Sequence, residues 1–139
     1  MSFKLSEKSL RRLDGVHPDL VKVVKRAIEI TPVDFVVIEG LRTKARQAYL
    51  LDAGKSRTMN SYHLTGHAVD IAPIVDGKVS WDWKHYYPLA DAMRSAAKEL
   101  NVRVKWGACW KYLDQLPSTL DKSILSKEFP DGPHYQIDR

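Results

Sequence analysis

Along PDLVKVVKRAIEI, residues 18–30, apolar side chains fall at Leu20, Val23, Val24, Ala27 and Ile28, with charged residues between them. That repeat predicts an amphipathic helix, opened by Pro18 at its first position and ended before Pro32. Phe35-Val36-Val37-Ile38 is a continuous apolar run rich in β-branched residues and closed by Gly40, which predicts a buried strand. Thr43 to Ala53 is helical in composition, with Gly54 placed to end it. Lys55 to Ser61 is polar and reads as a loop.

HAVDIAPIV, residues 67–75, is again β-rich and meets the turn pair Asp76-Gly77, so Lys78 to Trp81 is expected to return as a hairpin partner. Leu89, Ala92, Met93, Ala96, Ala97 and Leu100 share one face of a second strong helix, from about His85 to Leu100, which Asn101 can close in the left-handed conformation. Val102, Val104 and Trp106 alternate with Arg103 and Lys105, a half-buried strand before Gly107. Residues 108–133 show no clear period and read as a long functional loop, after which His134 to Ile137 alternates as a last strand. With no regular βαβ repeat, the expected class is α+β: a small, mainly antiparallel sheet packed with about three helices.

Composition narrows the partners. At 139 residues, with 44% hydrophobic and 28% charged, the chain is long and apolar enough to fold, and a single domain over residues 1–139 is expected. A net charge of +5 favours an anionic partner: nucleic acid, a membrane surface or the acidic polymers of a bacterial envelope. Lys and Arg are scattered without interleaved aromatics, so dedicated nucleic-acid binding is not expected. No apolar run is long enough to span a membrane, and MSFKLSEKSLRRLDG lacks the apolar centre of a signal peptide, so residence in the cytoplasm is expected. Nothing resembles a coiled coil, and the expectation is a monomer. The one cysteine, Cys109, excludes an internal disulfide and a cysteine-only zinc site. It reads as a buried thiol in preference to a nucleophile.

The candidate chemistry lies in NSYHLTGHAVDIAP, residues 60–73. On a helix His63 and His67 would share a face, as zinc-binding histidine pairs do, but Gly66 and the β-branched content argue for a strand. On a strand Ala68, Asp70 and Ala72 point one way and His67, Val69 and Ile71 the other. Asp70 is the better partner for His63, because a carboxylate inside an apolar strand is costly to bury unless a cation compensates it. A hydrolytic zinc site needs a third ligand, for which His17, His85 and His134 remain. Asp131, a Gly-Pro turn before His134, is placed to act as a general base.

Ser61-x-His63-x-x-Gly66-x-Ala68-x-Asp70 resembles the S-x-H-x-x-G-x-A-x-D signature of the D-Ala-D-Ala carboxypeptidase and dipeptidase family of zinc peptidases. That family includes VanX-like and VanY-like enzymes and phage L-alanyl-D-glutamate endopeptidases. Gly40-Leu41-Arg42-Thr43 with Gln47 is similar to its G-x-R-x-x-x-x-Q segment, Trp106-Gly107 to its W-G segment, and Asp131-x-x-His134 to its closing acid-x-x-His. The resemblance implies a hedgehog/D-Ala-D-Ala peptidase-like zinc fold, one zinc per chain on His63, Asp70 and His134, and Asp131 as general base. It implies Arg42 as oxyanion stabiliser and Ser61, Gln47 and Trp106 at the substrate. Two positions depart from the pattern: Cys109 stands where relatives often carry the aspartate of W-G-x-D-W, and Gln136 where they often carry an acid. Asp114, Asp121 and Glu128 form no D-x-D-x-D-G loop, which excludes an EF-hand and leaves calcium unassigned.

Length, charge and the lack of a signal are most similar to the phage endolysins of that family. The implied activity is cleavage of the L-Ala/D-Glu bond of the peptidoglycan stem peptide. The implied route is accumulation in the host cytoplasm, release by a holin-type membrane-perforating partner, and action on the wall in the periplasm. The alternatives are a D-Ala-D-Ala carboxypeptidase and a zinc-binding module without catalysis.

Overall fold

In the computed structural model, which describes residues 2–139, the strongest periodic stretches fold as their patterns require. Helix α1 (Glu7–Arg12) is capped by Ser6; α2 (Pro18–Ile30) starts at Pro18 and buries Leu20, Val23, Val24, Ala27 and Ile28. Helix α3 (Lys44–Asp52) is capped by the Thr43 hydroxyl, and α4 (Trp83–Leu100) by Asp82, with Asn101 left-handed at its end. Among the described residues there are four α-helices where about three were expected, and α4 begins two residues earlier than its apolar stripe indicated because Asp82 caps it.

The strands are β1 (Phe35–Glu39), β2 (Ala68–Val75), β3 (Lys78–Val79), β4 (Lys105–Trp106), β5 (Lys111–Tyr112) and β6 (His134–Gln136). All pairings are antiparallel, in the order β1-β2-β6-β4-β5, with β3 joined to β2 through the Asp76-Gly77 turn. Both turn residues have positive φ, the geometry that suits a two-residue hairpin. The last strand in sequence therefore lies in the middle of the sheet. It brings His134 opposite Asp70 and Gln136 opposite Ala68.

One sheet face carries Val37, Val69, Ile71, Trp106 and Tyr135 into a core closed by α2 and α4. The other carries Asp70, His134 and Gln136. The outer edge of β1 is covered by α1: the Ser9 hydroxyl accepts from Val37 N at 3.0 Å and Arg12 donates to Val37 O at 2.9 Å. A bulge sets Val37 opposite Ile71 but Glu39 opposite Asp70, so Ile38 is the extra residue. That one-residue shift re-aims Glu39 onto the face of Asp70.

Segments without a strong period differ from expectation. The strand expected over 102–106 pairs only at Lys105–Trp106, and the hairpin partner only at Lys78–Val79. Residues 108–133 are not one loop: β5 and two 3-10 turns, Leu113–Gln115 and Lys122–Ile124, lie within them. Among the described residues no helix is long and apolar enough to cross a membrane.

Candidate metal centre and its cleft

His63 sits on a 3-10 turn (Tyr62–Thr65), where a plain loop was expected. The Ser61 hydroxyl caps that turn by accepting from His63 N at 3.2 Å. Gly66 ends it at φ 76°, and a Cβ there would lie 2.3 Å from Gly15 O, so only glycine fits. The His63 ring is 2% exposed, and its Nδ1 donates to Gly40 O at 2.8 Å. Its Nε2 is thereby left with the lone pair, 3.1 Å from Asp70 Oδ1.

His134 is oriented by the complementary choice of nitrogen. Its Nε2 donates to Gln136 Oε1 at 2.8 Å, and its Nδ1 faces Asp70 Oδ1 at 3.3 Å. Small Ala68, opposite Gln136, leaves room for that contact. The ligand atoms of His63, Asp70 and His134 all lie within 4.8 Å of one another. Ligands about 2.0–2.1 Å from a tetrahedral zinc are themselves separated by about 3.3 Å, so the spacing and the nitrogen–oxygen donor set fit that ion. Burial works to raise the Asp70 pKa, but when the facing His63 and His134 rings carry both protons their charges and hydrogen bonds outweigh it and hold the carboxyl far below its usual range.

Asp131 lies on the wall of the same cleft, which encloses about 560 Å³ and is also lined by Glu39, Arg42, Asp70 and His134. Burial, then repulsion from Asp70, pushes the Asp131 pKa up against the opposing pull of His134, His63 and Arg42. A carboxyl with raised proton affinity suits a general base. Arg42 is locked: Nε donates to Glu39, Nη1 to Gln47 Oε1 at 2.8 Å, and Nη2 lies 3.6 Å from Asp70 Oδ2.

Two expected substrate contacts are corrected. Gln47 is wholly buried; besides accepting from Arg42, its amide donates to Ser56 Oγ at 2.7 Å and Thr58 O at 2.5 Å. Its place is behind Arg42, tying it to the loop. Trp106 is also wholly buried, stacked on Tyr135, and its indole N–H donates to Gly132 O at 2.7 Å. At Gly107 a Cβ would lie 2.6 Å from Asp131 O and 2.9 Å from His134 Cβ. The Trp-Gly pair therefore fixes the Asp131–His134 turn and does not line the cleft. Ser61 does line the cleft, alongside its capping role.

The remaining candidates fall elsewhere. His67 Nδ1 meets Thr65 Oγ1 at 2.9 Å, beside the His17 ring, and His85 pairs with Ser80 at the start of α4. Burial raises the Cys109 pKa, and its Sγ faces the carbonyls of Trp106 and Lys111, as a packed thiol would. Asp114 pairs with Arg103 and Asp121 caps its own 3-10 turn. Among the residues that sequence reasoning did not place in the cleft are Glu39, Gln136 and Trp110, whose ring lies 5.4 Å from that of His134.

These side chains are arranged to hold a cation and to move a proton beside it, which is the equipment of a metallopeptidase-type hydrolase. Within that class the chain belongs to the phage L-alanyl-D-glutamate peptidase family, whose sequence profile matches residues 1–137. It is 39% identical to the L-alanyl-D-glutamate peptidase of Escherichia phage T5, over 99% of both chains. Listeria phage A118 has a peptidase of the same name, 28% identical over 78% of this chain but only 32% of the longer relative. The crystal structure of the Serratia marcescens L-Ala D-Glu endopeptidase ChiX superposes with a TM-score of 0.81 at 41% identity, over 99% of this chain and 91% of that one. The α+β expectation and the family resemblance are both borne out.

Proposed function

We propose that the protein is an endolysin that hydrolyses the L-Ala/D-Glu bond of peptidoglycan stem peptides, using one zinc ion held by His63 Nε2, Asp70 and His134 Nδ1. The observation that carries the reading is the convergence of those three ligand atoms beside Asp131 and Arg42 in one cleft, in a chain similar over its whole length to named L-alanyl-D-glutamate peptidases. Zinc held there would supply a Lewis acid and would make water a stronger nucleophile near neutral pH. Asp131 accepts the proton of the attacking water and passes it to the leaving amine. Arg42, already fixed by Glu39 and Gln47, places a permanent positive charge where the carbonyl oxygen becomes negative, and spends no reorganisation energy doing so.

The +5 charge favours approach to an anionic wall. Accumulation as a monomer in the host cytoplasm and release by a holin-type partner complete the proposal. Two measurements test it. Metal analysis should give about one zinc per chain, lost in His63→Ala; a metal-free protein that still lyses cells overturns the site. Mass spectrometry of digested peptidoglycan should show new D-Glu amino termini, whereas released D-alanine would reassign the enzyme as a carboxypeptidase.

A further inference from the structure

Of the cations lining the cleft, two are already committed. Arg42 is tied to Glu39 and Asp70, and Arg46 lies 3.6 Å from Glu39. Lys55 and Arg57, both exposed and lining the same cleft, pair with no carboxylate among the described residues. Arg57 alone of these two is seated, its guanidinium 5.6 Å above the Phe129 ring. Phe129 holds a left-handed backbone at φ 47°, and its carbonyl accepts from the Trp110 indole at 3.0 Å; Trp110 is left-handed too, at φ 55°, with its ring against His134. Such backbone is disfavoured for residues with a side chain and persists where the surrounding structure holds it. Arg57, Phe129, Trp110 and His134 thus form a continuous line of contacts from an uncommitted cation to the metal ligands.

Resting on the L-Ala/D-Glu reading, we propose that Arg57 determines specificity by binding the free α-carboxylate of the D-glutamyl residue. In the stem peptide that residue continues through its side-chain carboxyl. The α-carboxylate therefore stays free, on the carbon that bears the scissile nitrogen. Cleavage at the metal brings this anion into the cleft, where it needs a cation not already neutralised by a protein carboxylate. A guanidinium meets it with two parallel hydrogen bonds, which an ammonium such as Lys55 cannot do. The enzyme is accordingly selective for walls whose second stem residue carries the acid over walls in which it is amidated.

The test compares hydrolysis of two synthetic stem peptides, one with D-Glu and one with D-isoglutamine at the second position, by wild type, Arg57→Gln, Arg57→Lys and Lys55→Gln. Zinc content and thermal unfolding are measured on each protein. Wild type is expected to favour the acid peptide by about tenfold or more in kcat/KM, mainly through KM. Arg57→Gln brings the ratio close to one, Arg57→Lys restores part of it, and Lys55→Gln keeps it. A wild type that does not discriminate, an Arg57→Gln enzyme that still does, or a preference that follows Lys55 instead overturns the assignment. If wild type cuts both peptides elsewhere than at the Ala–Glu bond, the bond assignment itself fails and this inference falls with it.

Discussion

Strands β2 and β6 are built from alternating residues that serve two faces held together by opposite means. On one face Val69, Ile71 and Tyr135 press against α2 and α4, and what matters is volume and the exclusion of water. On the other, Asp70, His134 and Gln136 are held one polar atom at a time, with the outer nitrogen of each histidine donating to a particular acceptor, Gly40 O or Gln136 Oε1. Packing is shared among many neighbours, so the core face tolerates error in small steps. The site face does not, because an unpaired buried polar atom costs its full desolvation.

The contrast would break most visibly at Asp131, the proposed general base, which lies outside the cluster of His63, Asp70 and His134. Asp131→Ala is expected to lower kcat by about 10²–10⁴-fold while zinc stoichiometry and the unfolding midpoint stay near wild type. Activity and metal lost together in that variant would place the residue among the ligands instead. On the core face, Ile71→Ala should cost about 2–5 kcal/mol in chemical denaturation, with the surviving folded protein still binding zinc and cutting at normal kcat. A selective loss of metal there would show that the two faces are not separable.

How much of this was legible follows the same division. The helices and β2 announce themselves by period, and Asp70 stands out as a carboxylate inside an apolar strand, which strand parity separates from His67. Glu39 was hidden because a bulge, which no alternation reveals, swings it onto the face of Asp70. Gln47 and Trp106 were read as substrate contacts because a motif says that residues work together without saying how deeply each is buried. Residues 108–133 defied the reading because two-residue strands and 3-10 turns are too short to carry a period. They nonetheless contain Trp110, which the pattern around Trp106-Gly107 already included.

Gln136 sharpens the comparison on the site side, since it stands where relatives often carry an acid and still meets His134 Nε2 at 2.8 Å. A neutral acceptor fixes the ring orientation as a carboxylate would, but polarises it less. Gln136→Ala is expected to weaken zinc binding by about 10–100-fold in competition with a chelator, and Gln136→Glu to strengthen it. Unchanged affinity in both variants would mean that the strand alone orients His134.

The smallest expected effect has the opposite sign and lies one residue away, on the other face. Tyr135 is wholly buried, and its hydroxyl has no hydrogen-bond partner among the described residues. Burial also drives its pKa well above the usual value, so the group stays a neutral phenol at any working pH. A hydroxyl that gave up its water and gained nothing makes the folded state pay a desolvation cost that phenylalanine does not incur. Tyr135→Phe should therefore stabilise the fold by about 1 kcal/mol, a rise of roughly 4 °C in the unfolding midpoint, with zinc content and kcat unchanged. Removing a polar atom from Gln136 and from Tyr135 would then shift stability of the metal site and of the fold in opposite directions. A Tyr135→Phe protein less stable than wild type would show that the hydroxyl is partnered, and that the core face also depends on hydrogen bonds placed one at a time.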